Sequence, residues 1–237
     1  HRDLHSFPTR RSSDLGPQPP GGQPGGQPGG IQIFSNITAT ALTWLGTGVS
    51  AYQNAYELKS SKIDDPWAKL VNVCNVLNNT TLANLADSLG TVLAVDRCLW
   101  FIAMENIFTD EDSYLTKGAD YQLYYEGGTG WLHPFQFDGN ETFKANDTNL
   151  SPVYGETLAI RPLISRLLAV PELRQRYLAH VRTIVNESLD WTVLEKKVTA
   201  YQTLIGAEVA ADTIKLSTNA QYASSAADLK NMVTARK

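Results

Sequence analysis

Apolar residues recur at helical spacing along most of this chain, and around residues 121–137 the spacing changes to that of strands. The run Asp64-Asp65-Pro66-Trp67 opens a helix, with an acidic cap and a proline in the first turn where its missing N–H costs nothing; this helix reaches about Asn78. A second, short helix is predicted over Thr81 to Leu89. The third, Val92 to Phe108, carries Leu93, Val95, Leu99, Trp100, Ile102, Ala103, Ile107 and Phe108, which leave little exposed face. It is therefore expected to be buried on most sides, with Arg97 and Glu105 as its polar exceptions. Two strand-like runs follow, Tyr121 to Tyr125 and Trp131 to Phe137, joined by the turn Gly127 to Gly130. After a polar loop, Lys144 to Pro152, helical periods cover Glu156 to Ala169, Pro171 to Leu189, Trp191 to about Ala211 and Ala223 to Ala235. Leu173, Tyr177, Val181, Ile184 and Val185 form the buried stripe of the second of these. Ala41 to Tyr56 mixes short helical patches with Gly46 and Gly48 and is expected to lie over the surface of the core, and Tyr56 to Lys59 reads as a short strand. The pattern predicts an α+β fold, a mainly helical body with one small antiparallel β-hairpin.

The amino-terminal residues fall outside this pattern. Residues 1–15 resemble the translation of a sequencing adapter, as in an assembled environmental read, and are set aside as an adapter-derived artefact. His1-Arg2-Asp3-Leu4 imitates the catalytic-loop signature of ordinary protein kinases but lacks the metal-binding Asn that should follow. Residues 16–30 are a Gly/Pro/Gln-rich linker with nothing that could enter a core. Residues 31–237 remain as one domain. A formal charge of −4 is mild acidity, which argues against nonspecific nucleic-acid binding. No apolar run approaches bilayer length, so no membrane span is expected. Cys74 and Cys98 read as small buried hydrophobes, with a single disulfide as the alternative; without closely spaced histidines they make no metal pattern. His133 and His180 read as structural, Arg166, Arg174, Arg176 and Arg182 as solvated or ion-paired, and the sequons at Asn36, Asn79, Asn140, Asn146 and Asn186 as chance matches.

Chemistry is concentrated where the central helix runs into Asp110-Glu111-Asp112 and where the second strand ends on Asp138. Two carboxylates delivered to one cleft by a helix and a hairpin can hold a divalent metal or handle a proton. Negative charge at a helix C-terminus is disfavoured by the helix dipole, so a cation there would offset the cost. The bland alternatives are a solvated acidic turn, and for Asp138-Gly139-Asn140 an ordinary turn. Lys59 has two readings, a lysine that neutralises nucleotide phosphates or a solvated strand-end residue.

Several motifs, in order, resemble the CotH family, the spore-coat-protein-H-like atypical protein kinases. They are Leu99-Trp100, Asp112-Ser113-Tyr114, Asp120-Tyr121-Gln122-Leu123-Tyr124 and Phe137-Asp138-Gly139-Asn140-Glu141-Thr142-Phe143. Upstream the resemblance takes in Tyr56 to Lys59 and Leu77 to Thr80, and downstream Arg161-Pro162-Leu163 and Val170 to Leu178. It implies the C-terminal lobe of an atypical kinase, and ATP-dependent phosphoryl transfer to Ser or Thr of a protein substrate. Asp112 would then be the catalytic base, Asp138 and Asp120 the Mg²⁺ ligands, and Asn140 and Lys59 nucleotide-binding residues. Two positions depart from the family pattern. Asp120 stands where Asn is usual and could strengthen metal binding or repel phosphate, and Phe137 replaces a Trp. The resemblance further implies that the domain is partial, that it needs an N-terminal half as partner, and that alone it has little activity. A secreted, cell-surface or spore-coat location is expected. The competing reading is a noncatalytic adhesion or scaffold module, which metal-dependent nucleotide binding would separate from the kinase.

Overall fold

The computed structural model describes residues 6–8, 39–143 and 147–237. The His1–Leu4 motif, the linker over residues 16–30 and the sequons at Asn36 and Asn146 lie outside the described residues. Among these there are eight α-helices, α1 Val49–Ala55, α2 Pro66–Asn79, α3 Leu82–Leu89, α4 Val95–Ile107, α5 Pro162–Leu168, α6 Pro171–Thr183, α7 Trp191–Ala211 and α8 Asn219–Arg236. The strands are β1 Ser6–Pro8, β2 Tyr121–Glu126 and β3 Trp131–Gln136, giving the α+β architecture expected.

The local signals act as predicted at most helix starts. Asp65 caps α2 by accepting from Ala68 N at 3.1 Å, with Pro66 behind it. Thr218 and Gln221 form a capping box that starts α8 four residues before its apolar period does. α4 begins at Val95 rather than Val92 because the preceding residues are drawn into the sheet. Leu132 N donates to Val92 O at 2.9 Å and Ala94 N to Leu132 O at 3.0 Å. The helix predicted over Glu156 to Ala169 forms only from Pro162; the proline ring disfavours helical geometry at Arg161, and the chain before it runs as turns. Continuing α6, residues Ile184–Ser188 form a π-turn. The expected strand over Tyr56 to Lys59 is absent, since Tyr56 closes α1 by donating to Tyr52 O at 2.8 Å and the next three residues are irregular.

β2 and β3 form the predicted hairpin, with Tyr121 opposite Gln136 and Glu126 opposite Trp131. β1 adds a third antiparallel strand on the free edge of β2, Ser6 facing Tyr124 and Pro8 facing Gln122. An open edge of unpaired N–H and C=O groups is a template for any extended segment.

α4 lies at the centre, packed against α5, α6 and β3, with Leu99 and Ile102 fully buried. Trp100 at its flank stacks on His180 at 4.1 Å between ring centroids. Cys74 and Cys98 are free, buried thiols, and burial pushes both thiols well up from their ordinary range. The segment after Thr40 is corrected from surface cover to core. Ala41 and Leu42 are fully buried, and phenols satisfy the backbone there. Leu42 N donates to Tyr56 Oη at 2.9 Å, while Tyr114 Oη donates to Ala41 O at 3.1 Å and Tyr121 Oη to Thr40 O at 2.6 Å. α7 and α8 form a hairpin at the other end of the chain, and α7 buries no residue fully. Among the described residues, no helix is long and apolar enough to cross a membrane.

Candidate functional site: the acidic turn after the central helix

α4 ends at Ile107, and Thr109, at φ 49°, swings the chain out of the helix axis. Asp110 is then the carboxylate on which the turn is built. Only 1% exposed, it accepts from Asp112 N at 3.0 Å through one oxygen and from Gln136 Nε2 at 2.5 Å through the other. Burial raises its pKa to about 6, and the two hydrogen bonds offset part of that rise.

One turn back along α4, Glu105 is buried too. Its two oxygens accept from Tyr114 N at 3.3 Å and Leu115 N at 3.1 Å. Burial, with the nearby Asp110 charge adding to it, pushes the Glu105 pKa well above the usual carboxylate range despite those bonds. From the opposite side the fully buried Arg161 donates to Leu115 O at 3.0 Å and Thr116 O at 2.6 Å. Ser113 Oγ donates to Asp110 O at 3.0 Å and Thr116 Oγ1 to Glu111 O at 2.8 Å. At Gly118, φ +68°, a Cβ would lie 3.0 Å from the Ala41 Cβ and 3.1 Å from Arg161 Nη1. Residues 110–118 are thus a tightly built loop whose backbone is tied on two sides.

Asp112 projects from this loop with its side chain 24% exposed, and one of its oxygens is 2.7 Å from Lys117 Nζ. The cation expected to offset an acidic helix end is in part supplied by the chain itself.

The hairpin delivers the second acidic segment to the same place. Glu111 N donates to Glu141 O at 3.2 Å, Phe143 N donates to Phe108 O at 2.7 Å, and the rings of Phe108 and Phe143 meet edge to face at 5.1 Å. Asp138 is exposed, and Asn140 Nδ2 donates to Glu141 Oε1 at 3.0 Å. Asp120 is buried immediately before β2, whose first residue pairs with Gln136. Six non-glycine residues among those described have positive φ; Thr109, Asp120, Asp138 and Phe143 are four of them, all at this junction. Such strained backbone gathers at functional sites.

A family model described as CotH kinase protein matches residues 35–237. The chain belongs to the CotH kinase protein family. No curated protein matches it. Within this CotH domain Asp112 lies on the acidic turn, Asp120 immediately before β2, and Asp138 and Asn140 after β3 in the segment whose residues 141 and 143 pair with 111 and 108. The structure does not bring Lys59 there. That residue is exposed, and its ammonium pairs with Glu57 at 2.7 Å. The sequence marked Asp110 only as part of the acidic turn, and did not mark Gln136, Lys117 or Arg161 as site residues. Glu105 was visible as a carboxylate in a buried helix, and Arg161 as part of the Arg-Pro-Leu motif, but neither signal shows what the side chain holds.

Among the described residues, no three His, Cys, Asp or Glu side chains gather as a ready-made metal cage. The donors at the junction nevertheless suit Mg²⁺. They are hard carboxylate and amide oxygens, and Asp138 and Asn140 are open to solvent. Mg²⁺ typically takes one or two carboxylates and completes its shell with phosphates and water. Next to the junction a cavity of about 730 Å³ opens between α4 and β3, lined mainly by apolar side chains including Trp100, Met104, Phe135 and Phe143, and reaching Asp110 and Gln136.

Proposed function

We propose that this CotH domain transfers the terminal phosphoryl group of ATP to a Ser or Thr hydroxyl of a protein substrate, at the cell surface or on a spore coat. Asp112 is the base. Its carboxylate is reachable from solvent yet fixed at its root by the Asp110 bond to its own amide. A positioned carboxylate that accepts the hydroxyl proton as the oxygen attacks supplies the one proton transfer the reaction needs. Asp138, with Asp120 as a second donor and Asn140 beside it, would hold Mg²⁺. The ion supplies charge neutralisation for the phosphates. What the chain contributes is mainly position, and position with electrostatics accounts for most of the catalysis in phosphoryl transfer. Lys59, paired with Glu57, takes the solvated reading.

The observation that carries this reading is the backbone pairing of residues 141 and 143 with residues 111 and 108. It holds the base-bearing turn and the metal-bearing segment in one frame although they are remote in sequence. The test is Mg²⁺-dependent ATP binding by calorimetry, comparing the chain with Asp138→Asn. Asn is isosteric and tolerates the left-handed backbone, so the variant removes charge and little else. Loss of a charged ligand should weaken binding by about tenfold or more. Equal binding in both proteins, or none in either, would instead favour a noncatalytic surface module.

A further inference from the structure

The junction has a charge problem as a nucleotide site. Segments 110–120 and 138–141 together carry Asp110, Glu111, Asp112, Asp120, Asp138 and Glu141 against one basic residue, Lys117. A polyphosphate approaching six acidic side chains meets repulsion unless cations stand between them. Mg²⁺ would answer this at Asp138 and Asp120, which leaves the charge of the turn that bears Asp112.

Lys117 is placed to answer it there. Along residues 113–120 every other residue is buried, and only the Lys117 side chain, 21% exposed, reaches the surface, beside Asp112. Its backbone is fixed. Lys117 N donates to Ser113 O at 2.9 Å, and Gly118 N is shared between Ser113 O and Tyr114 O at 3.1 and 3.0 Å. The stem therefore rises from a rigid base while the ammonium, a compact charge on a flexible chain with three donors, remains free to turn between partners.

Building on the kinase reading above, we propose that Lys117 is a further catalytic residue, the binding point for the terminal phosphoryl group on the base-bearing loop. In the nucleotide-free chain its ammonium pairs with Asp112, and in the ATP complex it is shared between Asp112 and the terminal phosphoryl group. As the substrate hydroxyl oxygen bonds to the terminal phosphorus, the bond from that phosphorus to the bridging oxygen breaks and ADP leaves with that electron pair. The hydroxyl proton passes to Asp112. Protonation removes the carboxylate charge that held the ammonium, and Lys117 turns fully to the phosphoryl oxygens, where negative charge must be stabilised. A lysine confined to a local ion pair would do none of this.

The test measures, on the full chain with Mg²⁺, calorimetric affinities for ATP and ADP and radiolabelled phosphoryl transfer from ATP to a Ser-rich peptide. The proteins are the wild type, Lys117→Met, Lys117→Arg and Asp112→Asn. Lys117→Met should lose about tenfold or more of the preference for ATP over ADP, with ADP affinity and thermal midpoint close to wild type. Lys117→Arg should keep that preference, and Asp112→Asn should keep it while losing transfer. Wild-type discrimination between ATP and ADP in Lys117→Met overturns the assignment. If Asp112→Asn still abolishes transfer in that case, the kinase reading survives without Lys117. If wild type binds neither nucleotide, both fall. Should Lys117→Met fail to fold, Lys117→Gln replaces it with the same expected loss.

Discussion

Asp110 offers the sharpest test of the account of the acidic turn, because burial penalises its charge while hydrogen bonds within the turn favour it. Its pKa is raised from an ordinary 3.8 to about 6. Below the lower value both folded and unfolded chains hold the proton, and stability is unaffected. Between the two values the folded chain keeps a proton that the unfolded chain has released, so stability falls as pH rises. Above about pH 6 the penalty is complete. The separation would correspond to about 3 kcal/mol, and solvent reaching the turn through the adjoining cavity screens this to about 2 kcal/mol. Asp110→Asn should remove the penalty at little structural cost. The Asn oxygen can still accept from Asp112 N, and Gln136 needs only to rotate its amide to accept where it now donates. Glu105, whose carboxyl is raised partly by the Asp110 charge, relaxes in the same direction. Urea denaturation in EDTA should therefore show the variant more stable by about 2 kcal/mol near pH 7.5, with the gain vanishing near pH 3.5. A variant no more stable than wild type at the higher pH, or one whose gain is the same at both, would refute the reasoning.

Arg161→Met leaves Leu115 O and Thr116 O buried without their donor; relief of the desolvated guanidinium offsets part of that, and a net loss of about 3 kcal/mol is expected from chemical denaturation. Gly155→Ala combines a left-handed backbone, φ +89°, with a Cβ 2.8 Å from Leu115 Cδ1, and should cost about 2 to 3 kcal/mol, read as a lowered thermal midpoint. Asp138→Asn, on an exposed residue, should shift stability by no more than about 0.5 kcal/mol while weakening Mg²⁺-dependent ATP binding.

The helical body was legible because most of its helices bury apolar residues at helical spacing, and that spacing repeats in sequence. Leu173 and Tyr177 are where the period puts them. The hairpin was legible for the same reason at a shorter period. What escaped was whatever is decided between distant segments. Residues 40–46 show little apolar period and look like surface. Thr40, Ala41 and Leu42 are buried, and the residues after them half-buried, because tyrosines at 52, 56, 114 and 121 bring hydroxyls to this backbone, which no local window reveals. The predicted Glu156 helix failed at a visible residue, Pro162, whose restriction on Arg161 outweighs the period of Leu158 and Ile160. In the site, the acidic turn and Asp138 stood out by composition. Which acid is buried and which is reachable did not, since Asp110 and Asp112 are chemically alike and are set apart by their partners, Gln136 from β3 on the one and Lys117 on the other.

The phenol straps also bear on how the chain reaches this structure. Tyr114 and Tyr121 hold backbone 73 and 81 residues upstream of themselves. Closing loops of that span is entropically slow, and their bonds reward the chain only once α4 and β2 are already in position. Thr40 to Leu42 are thus expected to lock late, and Gly118, which abuts both Ala41 and Arg161, lies where that closure meets the acidic loop. In kinetic terms, the loop acquires its final rigidity only when the most distant part of the chain has come home.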